Sequence, residues 1–228
     1  MIGDIVGKGG RKTLKIVLPE IIKKEKIDFV IAQGENSAGG FGLTKKISNE
    51  FFDSGVNVIT SGNHIWDKPG TGIYFNNNLA VINLLGSVWM GKVDSPFNLI
   101  GSLLDDLPNV PIFLDFHAEA TSEKAAMAWY LDGKISALVG THTHVATSDN
   151  KILPSGTAFV SDLGMVGAKN SILGMDKDAS ISRFFNGKRN RMTPIEKGEM
   201  IFNSVLIEID NVSKKAVSIS RLDKEISI

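Results

Sequence analysis

Five times along this chain, a short apolar run ends in a polar motif carrying an ionisable or amide side chain. Ile2-Gly3 leads to Asp4, residues 28–32 lead to Gly34-Glu35-Asn36, and residues 56–60 lead to Ser61-Gly62-Asn63-His64. Residues 110–114 lead to Asp115-Phe116-His117-Ala118-Glu119, and residues 135–139 to Gly140-Thr141-His142-Thr143-His144. Apolar runs of about four to eight residues bounded by turn signals read as buried strands. Ionisable groups at the ends of several strands, at one edge of a sheet, are how α/β proteins build their sites. All 4 histidines fall in these motifs, so the pattern predicts strands that deliver them to a common edge.

The segments between the runs support that frame. Leu14, Val17, Leu18, Ile21 and Ile22 have helical spacing over residues 11–24, with Pro19 expected to kink or restart the helix. Residues 3–10 read as a strand-to-helix loop and residues 34–42 as a glycine-rich loop. Thr44 caps a predicted helix reaching 53, with Ile47, Phe51 and Phe52 inward and Gly55 ending it. Turns are expected over 68–78, a strand over 79–85, and a helix from Ser95-Pro96 to 104. A helix over 121–131 follows, then strands at 135–139 and 157–161 and a short helix over 178–185. Residues 186–197 form a basic loop, and residues 200–209 pair with 216–222 as an antiparallel hairpin through Asp210-Asn211. Strands and helices that alternate and then finish strand–strand indicate a layered α/β sandwich in one domain over residues 1–228.

Composition narrows the class of function. Formal net charge is zero, so no global field draws the chain to nucleic acid or an anionic membrane. The absence of cysteine excludes disulfides and thiolate metal sites and fits a reducing compartment. No apolar run approaches the roughly 20 residues of a membrane span, and residues 1–10 lack the features of a signal peptide. A cytoplasmic location is the default expectation.

The candidate ligands are Asp4, Glu35, Asn63, His117, His142 and His144, with Asn36 beside them. They are too many for one four-coordinate ion and suit two hard-to-borderline ions sharing a carboxylate. A His-x-His at a strand end can turn both imidazoles to one side, because side chains alternate with period two. Two metals about 3.5–4 Å apart clamp a phosphate oxygen and acidify water for in-line attack. His64 is left over, next to Asn63, and suits a general acid that protonates the leaving oxygen. Each residue also has an ordinary reading: Asp4 and Asn36 as turn residues, Asn63 as a cap, His64 as a surface histidine. Glu119 and Glu123 either orient ligands or favour a helix N-terminus. Asp67 is a candidate to orient His64. Lys188, Arg189 and Arg191 read first as a solvated loop.

Gly3-Asp4-Ile5-Val6-Gly7, Gly34-Glu35-Asn36, Gly62-Asn63-His64, Phe116-His117-Ala118-Glu119 and Gly140-Thr141-His142-Thr143-His144 together resemble the motif set of the bacterial YmdB-type metallophosphoesterases. Those belong to the calcineurin-like superfamily. Ala120-Thr121-Ser122-Glu123-Lys124, Trp129-Tyr130-Leu131-Asp132-Gly133 and Ile172-Leu173-Gly174-Met175-Asp176 are similar as well, so the likeness spans nearly the whole chain. The resemblance implies an α/β-β/α sandwich, a dinuclear iron or manganese site and phosphodiesterase activity on 2′,3′-cyclic and 3′,5′-cyclic nucleotides. It implies Asp4 and His144 on one metal, Asn63, His117 and His142 on the other, Glu35 bridging, Asn36 on the substrate side and His64 as acid. A small phosphodiester is then the partner, with homo-oligomerisation left open. Against the family pattern the chain is short before Gly3 and around residues 68–72. Two other functions fit the same motifs: a phosphomonoesterase, and a non-catalytic regulatory or binding protein.

Overall fold

The computed structural model describes residues 1–63, 72–76, 78–91, 93–187 and 192–228. From the N-terminus, Ile2 bridges to Ala32 and Ser204, and Asp4–Ile5 form strand β1. Helix α1 (Gly7–Glu25) begins four residues earlier than its apolar periodicity predicts. Its first turns carry Gly7, Gly9 and Gly10 against neighbouring segments, and a Cβ at Gly10 would stand 2.3 Å from Val166 O. Pro19 neither ends nor restarts α1; it lies on the exposed face, where water can serve the carbonyl it leaves unbonded.

Strand β2 (Ile31–Gln33), helix α2 (Lys45–Asp53) and strand β3 (Val58–Thr60) follow. Thr44 caps α2 by accepting from the Ile47 amide. Ile47 and Phe51 are buried, whereas Phe52, expected inward, is half exposed on the other side of the helix. Residues 72–76, expected as turns, form strand β4 (Gly72–Asn76), which pairs antiparallel with β5 (Leu79–Leu85). Next come α3 (Pro96–Asp105), β6 (Ile112–His117), α4 (Thr121–Tyr130) and β7 (Ala137–Thr141). The last third holds β8 (Lys151–Ile152), β9 (Ala158–Val160), β10 (Met165–Ala168), α5 (Lys177–Asn186), β11 (Glu199–Phe202), β12 (Val205–Ile209), β13 (Ala216–Arg221) and β14 (Lys224–Ser227).

The expected strand over 200–209 is two strands in different sheets. β11 joins the sheet ordered β1-β10-β11-β14, whereas β12 pairs with β13. The chain changes sheet at Asn203-Ser204, where Asn203 Oδ1 accepts from the Met165 amide and the Ser204 amide donates to Asp223. A six-stranded sheet, ordered β4-β5-β6-β7-β9-β8, forms the facing layer.

Period-two alternation sorts the core into layers. Ile82, Leu84, Leu114, Phe116 and Leu138 point from the six-stranded sheet to Met127 and Ala128 of α4, Leu131 at its C-cap and Ile100 of α3. Val81, Phe113, Val139 and Val160 point the other way, toward Ile31 and Val58 and toward Val205, Ile207 and Ile219. Leu14, Val17, Leu18, Ile47 and Phe51 of α1 and α2 cover the far side. The result is the layered α/β sandwich that the strand–helix alternation predicts, in the α/β-β/α form that the family resemblance implies. A cavity of about 600 Å³ runs beside Met1, walled by Phe29, Ile31, Leu79, Phe113, Val205 and Ile207. It lies toward the amino ends of the strands, opposite the polar motifs.

Candidate metal centre

Four of the polar motifs lie at the carboxyl ends of β2, β3, β6 and β7, whereas Asp4 is the first residue of β1. These strands belong to three sheets, with β1 in the four-stranded sheet, β2 and β3 paired with each other, and β6 and β7 in the six-stranded sheet, so the site sits where the layers meet, not along one sheet's edge as the sequence predicts. The side chains gather in two neighbouring groups. In the first, His117 Nε2 lies 3.0 Å from Glu35 Oε1, 3.2 Å from Asn63 Oδ1 and 3.0 Å from His142 Nδ1. In the second, His144 Nε2 lies 3.1 Å from Asn36 Oδ1 and 3.8 Å from Asp4 Oδ1. The His142 amide, donating to Asp4 Oδ2 at 3.3 Å, ties the two groups together. His64, Asp67, Lys188, Arg189 and Arg191 lie outside the described residues.

The histidine pair reaches its two groups by a route the sequence does not predict. β7 ends at Thr141, so period two has no hold on His142 and His144. Both take positive φ, 103° and 62°, and the turn sends the imidazoles apart. His142 turns to His117, its Nε2 lying 2.9 Å from Glu119 Oε2. His144 turns to Asp4, with Nδ1 bonded to Leu173 O at 3.1 Å.

His117 is held from behind. Its Nδ1 lies 2.9 Å from Thr141 Oγ1, and that hydroxyl donates to Asp115 Oδ1 at 2.7 Å. Gln33 Nε2 is 3.3 Å from the same Nδ1, and Gln33 Oε1 accepts the Glu35 amide at 2.7 Å. With Nδ1 so occupied, Nε2 is the nitrogen aimed at the site. Asp115 was legible in principle: two residues before His117 on a strand, it must share its face. Glu123, a candidate orienting group by sequence, instead accepts from Ser87 and Val88 and anchors that loop. The Asn36 side-chain amide is engaged twice, by His144 and by donation to Gly40 O.

Burial sets the electrostatics. It pushes Asp4 up to about 7, helped by Glu35 and Asp162 and opposed by His144 and His117. Burial likewise raises Asp115 to about 6, against the pull of His117 and of the Thr60 and Thr141 hydroxyls. For His117 burial disfavours the cation, but the hydrogen bond and charge of Glu35, with Asp4 and Asp115, outweigh it and hold the pKa above its ordinary value. His142 goes the other way, down to about 4, through burial and the neighbouring His117 charge.

This donor set fits a metal. Asp4 Oδ1 is buried and lacks a hydrogen-bond partner among the described residues. Glu35, His117 and His142 offer ligand atoms within 4.8 Å of one another. Gly62 keeps the space among them open, since a Cβ there would stand 2.2 Å from His117 Nε2 and 2.3 Å from Glu35 Oε2.

A family model described as YmdB-like protein matches residues 1–78 and 69–222. A 2′,3′-cyclic-nucleotide 2′-phosphodiesterase of Bacillus subtilis (strain 168) is 44% identical over 250 residues, covering 97% of this chain and 94% of that protein. The crystal structure of a novel phosphatase from Mycoplasma pneumoniae aligns with TM-score 0.91 and 31% identity, covering 99% of this chain and 92% of that one. A hypothetical protein from Thermus thermophilus aligns with TM-score 0.90 and 32% identity over 98% of this chain and 97% of that chain. With its motifs, its fold and a family match spanning nearly its full length all in agreement, the chain belongs to the YmdB-like family.

Proposed function

We propose that this chain is a metal-dependent phosphodiesterase that hydrolyses cyclic nucleotides, the 2′,3′-cyclic ones first and 3′,5′-cyclic ones as a further class. The observation that carries this reading is the division of the candidate ligands, buried or half-buried, into two neighbouring groups. On this reading Asp4 and His144 would hold one ion, Asn63, His117 and His142 would hold a second, and Glu35 would be shared between them. Iron or manganese suits a set of imidazole, carboxylate and amide donors without thiolate. When bound, such ions supply positive charge to phosphate oxygens and make water acidic enough to attack phosphorus.

The chain's own residues do the rest. Thr141 and Gln33 fix the His117 ring so that Nε2 faces the site. Asn36 orients His144 and borders the substrate side. His64, next in sequence to Asn63, gives a proton to the departing oxygen. Opening a 2′,3′-cyclic phosphate at the 2′ bond adds water across that bond and releases an alcohol, a leaving group that needs the proton. The activity named for the Bacillus subtilis relative supports this substrate class. The phosphatase named among the solved relatives supports a second reading, a phosphomonoesterase on the same residues.

The test is metal analysis of the purified protein followed by a panel of 2′,3′-cAMP, 3′,5′-cAMP, bis-p-nitrophenyl phosphate and p-nitrophenyl phosphate. Preference for the 2′,3′-cyclic substrate supports the proposal. Preference for the monoester favours the phosphatase, and a folded, metal-loaded protein without turnover favours a binding protein.

A further inference from the structure

Behind the histidine turn lies a buried ion pair that none of the proposed ligands includes. Lys124 of α4 is 1% exposed, and its Nζ lies 2.7 Å from Asp162 Oδ2. Asp162, likewise 1% exposed, follows β9 in the sheet position beside β7. Its carboxylate is shared three ways. Oδ2 also accepts the Thr143 amide at 3.1 Å, and Oδ1 accepts the Gly164 amide at 2.9 Å. The backbone of Asp162 is bonded to the far end of the same turn: its carbonyl accepts the Thr147 amide, and its amide donates to Thr147 Oγ1.

Thr143 is the residue between His142 and His144. Both histidines adopt backbone angles that side chains other than glycine rarely take, which persist only where the surroundings over-determine them. Asp162 supplies that constraint at Thr143 and Thr147, on either side of His144. The Lys124 ammonium adds a charge-assisted hydrogen bond to those of the two amides, so the buried carboxylate is held by three donors at once. Buried ion pairs are poor sources of stability compared with apolar packing, so their presence calls for a reason in geometry.

We propose that Lys124 and Asp162 are a positioning pair that holds the turn over residues 142–147 in the conformation presenting His142 and His144 to metal. The proposal rests on the metal-centre reading for its consequence, though not for the turn's conformation. Neither residue touches substrate or metal.

The test uses the full chain with Lys124→Met, Asp162→Asn and the double variant, probed by equilibrium Mn²⁺ titration and amide hydrogen exchange on the metal-free protein. Lys124→Met and Asp162→Asn should each weaken Mn²⁺ binding by about 10–100-fold, as losses behind a ligand typically do. In the double variant the losses should be markedly less than multiplicative, because the two act as a unit. Exchange over residues 142–147 should quicken while β6 and β7 remain protected. Should Lys124→Met fail to fold, Thr147→Val removes the hydroxyl contacts to the Asp162 backbone, together with the one to Asp149, and should still quicken exchange in the turn. Variants that fold, exchange at the wild-type rate in the turn and bind Mn²⁺ like wild type would overturn the proposal. Wild-type protein that binds no Mn²⁺ would refute the metal-centre reading instead, and the exchange rates would still decide the role of the pair.

Discussion

His117 Nε2 and His142 Nδ1 face each other at 3.0 Å, with their rings nearly perpendicular at 73°. Two imidazole nitrogens at this distance share at most one proton, and the opposed shifts of the two rings assign it to His117. A metal ion that takes both lone pairs must displace that proton. It must also displace the one that burial retains on Asp4 up to about pH 7. Both folded-state pKa values are raised, so the metal-free site holds protons below this range and loses them as pH rises through it. Mn²⁺ affinity should therefore be greater at about pH 8 than at about pH 6, with proton release on binding. Calorimetry in two buffers of different ionisation enthalpy measures the release. Affinity independent of pH would mean these groups are not displaced.

Glu35 is 1% exposed and lies against His117. Glu35→Gln keeps the shape but removes the negative charge proposed to lie between two cations. Metal content and turnover should fall together, which metal analysis of the purified variant checks. A variant with full metal content and reduced rate would make Glu35 something other than a shared ligand.

Gly62 gives a steric test of the same space. A methyl group there would stand 2.2 Å from His117 Nε2 and 2.3 Å from Glu35 Oε2, so it must push one ligand aside. Gly62→Ala should weaken metal binding by on the order of tenfold or more, comparable with losing an orienting residue. Its thermal midpoint when metal-free should change less than that of a core variant, because the methyl enters a polar recess. Unchanged Mn²⁺ affinity would show that metal does not use this recess.

The layered fold and the ends of β2, β3, β6 and β7 were legible because these strands are largely buried and so read as apolar runs. The crossing of the chain between sheets at Asn203-Ser204 was not legible, since apolar residues flank it closely on both sides, from Met200 to Ile209. Tertiary hydrogen bonds to Met165 and Asp223 break that run in two. β4 was hidden by glycine and asparagine, whose turn preference yields to pairing with β5. In the site, the candidate ligands stood out by residue type, but the turn that separates His142 from His144 did not. Positive φ at a histidine leaves no mark on sequence periodicity. Lys124 and Asp162 were invisible for a similar reason: in the sequence each looks like an ordinary surface charge.

Thr141 links two buried groups, and its removal should be felt twice. Thr141→Val leaves Asp115 Oδ1 without its 2.7 Å donor and His117 Nδ1 without its 2.9 Å partner. An unsatisfied buried group costs about 1–3 kcal/mol, so the denaturation midpoint should drop measurably. Loss of the ring's anchor should also reduce metal affinity by about 10–100-fold. Thr141→Ser, which keeps the hydroxyl, should restore most of the affinity. Failure of serine to do so would point to packing as the cause.

His64 separates proton transfer from metal assembly. It bonds no metal in the proposed scheme, so His64→Ala should retain the full metal content of the wild type. What it should lose is protonation of the leaving oxygen, an effect typically worth about 10²–10⁴-fold. The size of the loss must depend on the leaving group. An alkyl diester or a 2′,3′-cyclic nucleotide releases a poor leaving group and should show the full effect. A nitrophenyl ester releases a stable anion that needs little help, so its rate should fall far less. Metal stoichiometry and rates on one alkyl and one aryl diester decide the matter together. If the variant loses a metal, His64 belongs with the ligands; if both substrates slow equally, the proton comes from elsewhere.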